Sequence, residues 1–280
     1  MADCIGKVAL VTGTANERGF GRAIAVALAK EGADVVVTDK SLMLPYPEGS
    51  AADWKGLESI AKEIEALGMR SLVINCDTTQ SREVDTMVEE ASKTLGEIDL
   101  LVCNAGVLAR GTIDVITDEI WNANISVNLT GTFFCCRAVA KKMIKRGKGG
   151  KIINISSQLG KYGIGEGHIG YCASKFGIIG LTQTLALELA RYGITVNSVC
   201  PGMADTDIQN EFYGHEARRL GVGKDELTAE LFAKRLPDIP LGRLTMPKDV
   251  ADMVTFLASK KADYITGQSL NVNGGRFMAH

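Results

Sequence analysis

In the run YCASK, Tyr171 and Lys175 stand four residues apart, at the head of a stretch that continues FGIIGLTQTLALELARYG. On a helix that spacing stacks both side chains on one face. The pair fits a proton carrier and its electrostatic tuner, and it fits an ordinary helix surface as well. The chemical reading has a definite requirement, because a phenol titrates near pH 10 in water. An ammonium about 4 Å away is worth roughly 4 kcal/mol at an effective dielectric near 20, but about 1 kcal/mol in bulk water. At about 1.36 kcal/mol per pKa unit, only the first lowers the phenol by something like three units, so the pair needs a partly desolvated cleft.

A second constellation, VALVTGTANERGFGRAIA, sets Gly13, Gly19 and Gly21 between a strand-like run and a helix-like one. Glycines there permit a tight turn and close approach of backbone to a pyrophosphate, whose charge the helix N-terminus stabilises. A glycine trio alone is a weak signal. Its weight comes from Asp39, which ends the next strand-like run 18 residues after Gly21. That position suits a carboxylate accepting hydrogen bonds from an adenosine ribose, although a strand-end Asp also closes turns. A carboxylate there repels a 2'-phosphate and points to NAD, whereas Arg18 and Lys40 pull toward NADP. The carboxylate weighs more, because a desolvated like-charge contact is costly.

These residues need elements to hold them. Short β-rich runs (KVALVTG, ADVVVTD, RSLVINCD, IDLLVCNAG, KIINISS, ITVNSVCPG) alternate with amphipathic stretches. Within 57–67, Leu57, Ile60, Ala61, Ile64 and Leu67 follow the i, i+3, i+4, i+7 rule, which predicts a helix. Helical segments are also expected over about 118–146 and from 171. The alternation, with strands apolar enough to be covered on both faces, predicts an α/β fold: a doubly wound parallel sheet in three layers, α/β/α, as a single domain over 1–280. Two stretches break the rhythm: an insert at about 40–54 after the second strand, and 203–235, expected to form a substrate lid.

Composition narrows the function classes. With 280 residues, a net charge of -2 and interspersed signs, the chain offers no basic stripe for nucleic acid and no electrostatic membrane footprint. No apolar run reaches the roughly 18 residues that span a bilayer, and MADCIGKVALVTG lacks the pattern of an export signal. The seven cysteines form no C-x-x-C pair, which predicts free thiols in a reducing, cytoplasmic setting. Histidines 168, 215 and 280 lie far apart, so no metal site is expected.

With the glycine turn, Asp39, CNAG at 103–106, ISS at 155–157, YCASK and PGMADT at 201–206, the chain resembles the short-chain dehydrogenase/reductase family over essentially its whole length. The resemblance implies a Rossmann-type sheet binding a nicotinamide cofactor and a catalytic tetrad of Asn128, Ser157, Tyr171 and Lys175. It implies cofactor contacts at Gly13, Gly19, Phe20, Gly21, Asp39, Asp77, Thr78, Asn104, Ala105, Gly106, Tyr171, Lys175, Pro201, Gly202, Met203 and Thr206. Asp77 would face the adenine, and the segment from Pro201 would flank the nicotinamide. Three departures stand out: five residues between Gly13 and Gly19 where three are usual, Cys103 where Asn is usual, and 14 positions from Ser157 to Tyr171 where 13 are common.

In the family's chemistry Tyr171 would exchange the proton, Lys175 would tune it and hold a ribose, Ser157 would polarise the substrate oxygen, and Asn128 would hold a water in a relay. The long first turn resembles that of enoyl reductases, which separate the catalytic Tyr and Lys by six residues. Three intervene here, which favours carbonyl chemistry. The expected activity is hydride transfer between NAD and a small secondary alcohol or ketone: a polyol, a vicinal diol or, from the likeness of SLMLPYPEG to carveol-dehydrogenase-like members, a cyclic alcohol. An NADP-dependent ketone reductase and a non-catalytic NAD sensor are the rival readings. The resemblance also implies a homotetramer, assembled through the long helices at about 118–146 and 171–191 and the C-terminal region.

Overall fold

The computed structural model describes residues 3–42, 54–204, 206, 214, 217–218 and 221–278. Its strands are β1 (Val8–Thr12), β2 (Asp34–Asp39), β3 (Ser71–Asn75), β4 (Ile98–Cys103), β5 (Gly150–Ile155), β6 (Ile194–Pro201) and β7 (Ser269–Val272). They form one sheet in the order β3-β2-β1-β4-β5-β6-β7, and every pairing is parallel.

The pleat sends alternate residues to opposite faces, and both faces are covered. Ala9 and Val11, Val35 and Val37, Leu100 and Val102, Ile153 and Ile155 enter one core with Ile24, Leu57, Ile60, Ile64 and Val254. Val8 and Leu10, Val36, Leu101 and Ile152 enter the other, with Val84, Met87, Val139 and Met143. This is why the strands read as continuous apolar runs. The helices among the described residues are α1 (Phe20–Lys30), α2 (Leu57–Ala66), α3 (Ser81–Thr94), α4 (Asp118–Asn124), α5 (Thr132–Arg146), α6 (Ile169–Leu189), α7 (Lys224–Arg235) and α8 (Pro247–Ala258). A π-helical stretch, Ile125–Gly131, joins α4 to α5.

β7 extends the expectation of six strands. Its four residues, SLNV, are all half-buried, too short and too mixed to show a period; the pairing of Ser269–Val272 with Ser198–Pro201 makes them a strand. Most of the 40–54 insert, 43–53, lies outside the described residues, as do Asp205, 207–213, 215–216 and 219–220 of the expected lid. Phe212, Tyr213, His215 and Arg219 fall among them.

Candidate active site

The strand order reverses between β1 and β4, and in doubly wound sheets the crevice outside the carboxyl ends of such strands is where ligands lie. The two strand ends are stitched together here. Thr12 Oγ1 accepts the N–H groups of Asn104 and Ala105, both at 3.1 Å. Asn104 Nδ2 donates to Thr12 O at 3.0 Å and to Gly13 O at 2.7 Å. Gly13 has φ +70°, and a Cβ on it would lie 2.5 Å from Ala105 Cα; one on Gly21 would lie 2.2 Å from Gly13 O. Both glycines are therefore demanded by the packing of the turn itself.

The lengthened turn is held at Ala15. Its N–H donates to Asp39 Oδ2 at 3.1 Å, and its carbonyl accepts from Trp54 Nε1 at 3.2 Å. Arg22 lies over the Trp54 ring, 5.1 Å from its centroid, and is ion-paired to Glu63. Helix α1 then starts with Gly19 as N-cap, with no side-chain acceptor and no acid in the first turn. Its positive end is left uncompensated by that turn, a setting suited to an anion. The donor set and the crevice fit a dinucleotide. Gly19 and Gly21 flank this helix end, and Phe20 packs partly buried against the core.

Asp39 sits at the mouth of the turn. Its Oδ1 accepts the Lys40 N–H at 2.8 Å, and burial raises its pKa against the lowering pull of the Ala15 and Lys40 amides and the Lys40 charge. Asp77 Oδ1 accepts from Thr79 N and Thr79 Oγ1, at 2.9 and 2.8 Å, in the turn leading to α3. Thr78 is buried with Gly131 packed against its hydroxyl. Pro201 ends β6, Gly202 N–H donates to Val272 O at 2.9 Å, and Met203 O accepts from Thr245 N–H at 2.9 Å. Met203 and Thr206 are buried.

The tetrad residues come from three elements and converge at the carboxyl end of β5. Ser157 follows β5 and caps a short 3-10 turn, its Oγ accepting from Leu159 N at 3.1 Å. Tyr171 and Lys175 stand one turn apart on α6. The Ser157 side chain is near enough to the Tyr171 hydroxyl to lower its pKa. Lys175 is 4% exposed; its Nζ donates to Ile155 O at 2.9 Å and lies 5.6 Å from the Tyr171 ring centroid. Asn128, in the π-helical stretch, uses both amide hydrogens, on Val107 O and Ser174 Oγ at 3.0 Å each, and its Oδ1 accepts Val107 N–H at 2.8 Å. Gly106 lies between Asn128 and Lys175, its notional Cβ 3.2 Å from Asn128 Oδ1 and 3.6 Å from Lys175 Nζ.

The electrostatics differ from the expectation that Lys175 lowers the phenol toward working pH. Desolvation dominates: it pushes Tyr171 up to about 12, against lowering by the Ser157 hydrogen bond and the charge of Arg110. It pulls Lys175 itself down to about 8. A dry pocket amplifies a neighbouring charge, but it penalises the charged form of both partners as well. Here the second effect dominates, since burial is the largest cause of both shifts.

Several contributors left little trace in the sequence. Thr12 is one hydroxyl in a strand, and Trp54 an aromatic at the end of an irregular insert. Cys103, in place of the usual Asn, turns away from the crevice, its Sγ 3.9 Å from both Thr132 O and Cys136 Sγ. All seven cysteines are unpaired and buried. Among the described residues no group of three His, Cys, Asp or Glu could hold a metal ion, and no helix is long and apolar enough to cross a membrane.

Comparison with known proteins adds four findings. Residues 13–276 match a family model described as Enoyl-(Acyl carrier protein) reductase. The chain is 42% identical over 270 residues to a short-chain dehydrogenase/reductase of Armillaria gallica, covering 96% of this chain and 95% of that one. It is 38% identical over 272 residues to the 3-oxoacyl-[acyl-carrier-protein] reductase FabG of Staphylococcus aureus, covering 97% and 98%. A crystal structure of a short-chain type dehydrogenase/reductase from Mycobacterium marinum superposes with a TM-score of 0.84 at 32% identity, covering 99% and 98%.

Proposed function

The chain belongs to the short-chain dehydrogenase/reductase family, and we propose that it transfers a hydride between NAD and a small secondary alcohol or its ketone, such as a polyol, vicinal diol or cyclic alcohol. The observation that carries this reading is the convergence of Tyr171, the buried Ser157 and the buried Lys175, whose Nζ lies 5.6 Å from the Tyr171 ring centroid, in one pocket beside the glycine turn. Bound in its oxidised form, NAD supplies the hydride acceptor and a positive charge near the phenol.

The roles follow from position. Tyr171 takes the hydroxyl proton during oxidation and returns it during reduction. Ser157, locked by its own cap on the 3-10 turn, directs the substrate oxygen toward that phenol. Lys175 adds cationic charge to the pocket and reaches a cofactor ribose. Asn128 holds the strand-end segment at Val107. Asp77 and Thr78 on one side, and Pro201, Gly202, Met203 and Thr206 on the other, would flank the cofactor groove.

Three residues between Tyr171 and Lys175 support a carbonyl substrate over a carbon-carbon double bond, even though the matching family model is described by enoyl reduction. Relatives named 3-oxoacyl reductases agree with ketone chemistry. Asp39 supports NAD, because its carboxylate stands at the ribose end of the turn. The exposed Arg18 and Lys40 favour the second reading, an NADP-dependent ketone reductase. Exposed Phe133 on α5 and Phe176 and Leu187 on α6 support assembly through those helices, as a homotetramer in a cytoplasmic setting. Incubating the protein with NAD or NADP and a panel of secondary alcohols, while following absorbance of the reduced cofactor, tests the proposal. Turnover with NAD is expected; no turnover of any alcohol or ketone with either cofactor overturns it, and a clear NADP preference selects the second reading.

A further inference from the structure

Asn124 ends α4, is fully buried, and has no part in the reaction described above. Its side chain pairs with both backbone groups of one residue: Oδ1 accepts Ala109 N–H at 3.3 Å and Nδ2 donates to Ala109 O at 2.9 Å. Nδ2 also donates to Ile120 O at 2.9 Å, within its own helix. One turn later Asn128 does the same to Val107, at 2.8 and 3.0 Å. Two asparagines four positions apart thus grip alternate residues of the segment that leaves β4, as a neighbouring strand would.

The grip continues. Gly111 forms a parallel bridge with His168, and its N–H donates to Gly167 O at 3.0 Å. His168 is the N-cap of α6, three residues before Tyr171. Asn124 also touches that helix, since a Cβ on Gly170 would lie 3.0 Å from Asn124 Nδ2. Residues 107–110 are only half-buried, so one side of this clamped segment stays open. Arg110 on it is near enough to act on Tyr171. A buried amide placed to satisfy another segment's backbone is costly to remove, because both the N–H and the C=O it serves lose their partner.

We propose that Asn124 is a positioning residue for the substrate cleft: with Asn128 it holds Val107–Arg110 as a fixed wall beside Tyr171, and so sets the size of the group accepted next to the reacting carbon. This rests on the alcohol dehydrogenase reading for its catalytic arm only.

The test uses the full chain with Asn124→Val, and Asn124→Asp as the variant that keeps the acceptor for Ala109 N–H and removes the donor to Ala109 O. Amide hydrogen exchange is measured without cofactor. Residues 107–111 are expected to exchange at least about tenfold faster in Asn124→Val, which removes both side-chain hydrogen bonds to Ala109 and the one to Ile120 O, with α6 unchanged. With NAD, kcat/KM for cyclohexanol relative to 2-propanol is expected to rise about tenfold, mainly through KM. NADH affinity should stay within about twofold, since the glycine turn is untouched.

Unchanged exchange at 107–111 overturns the inference whatever the enzyme turns over. Faster exchange with an unaltered substrate ratio, or with both substrates and NADH affinity falling together, also overturns it, because Asn124 would then be a structural residue only. If Asn124→Val does not fold, Asn124→Asp decides by the substrate ratio and NADH affinity, because it keeps the acceptor that protects Ala109 N–H: an unaltered ratio overturns the inference. If the wild type oxidises neither alcohol, two panel substrates that differ in bulk replace them; if no alcohol or ketone turns over with either cofactor, the proposed function fails, and the exchange result alone decides whether Asn124 holds the segment.

Discussion

Replacing Lys175 with Met should make the cofactor-free protein more stable at neutral pH while destroying its activity. Lys175 is 4% exposed, and desolvation pulls its pKa from 10.5 to about 8. For a base depressed in the folded state, the unfolded chain binds more protons between those two values, so wild-type stability rises with pH across that window. Below pH 8 the buried ammonium therefore costs about 3 kcal/mol, since each pKa unit corresponds to about 1.36 kcal/mol. Methionine keeps the apolar stem and removes that cost, but leaves Ile155 O without its 2.9 Å donor, a loss of about 1 to 1.5 kcal/mol.

The variant should then be about 1 to 2 kcal/mol more stable at pH 7, a rise of roughly 2 to 8 °C in Tm for a domain of this size. Its advantage should vanish or reverse by pH 10, where most of the wild-type penalty has been relieved. Urea unfolding followed by circular dichroism at pH 7 and pH 10 measures both values. Other groups titrate in the window, but they are common to the two proteins and cancel in the difference. A variant less stable than wild type at pH 7, or a gap that does not narrow as pH rises, refutes the argument that desolvation governs this lysine. NADH titration of the same protein should show weakened binding; unchanged affinity removes the ribose role.

Tyr171→Phe should cut turnover by at least about a thousandfold and leave NADH binding nearly intact, as judged by steady-state rates beside fluorescence titration; near-normal rates would remove the phenol from the mechanism. Asp39→Ala should raise the NADP to NAD ratio of kcat/KM by about a hundredfold, because a like-charge repulsion of several kcal/mol is lost while Arg18 and Lys40 remain. An unmoved ratio would show that the carboxylate serves only to hold Ala15. Gly21→Ala should destabilise the fold by about 3 kcal/mol or more, since its methyl would lie 2.2 Å from Gly13 O. A urea midpoint within error of wild type would contradict the packing described for the turn.

Much of this architecture is legible along the chain. Six of the seven strands announce themselves because a sheet covered on both faces needs apolar residues at every position, and Val35, Val36 and Val37 fill both cores. β7 is not legible, since only pairing with β6 turns SLNV into a strand. The site divides in the same way. Tyr171 and Lys175 share a helix face by spacing alone, and the glycines mark a turn. The grip of Trp54 on Ala15, and of Asn124 on Ala109, joins residues 39 and 15 positions apart, and no periodicity links them.

What the amino-acid order determined on its own were contacts between near neighbours: helix faces, strand alternation, the type and spacing of the groups that carry protons. What only the packed molecule decided was the environment of those groups. The phenol sits near 12 and the lysine near 8 because several distant segments remove water from around them. Loss of solvation is a property of everything that surrounds a charge, and a linear chain does not yet have surroundings.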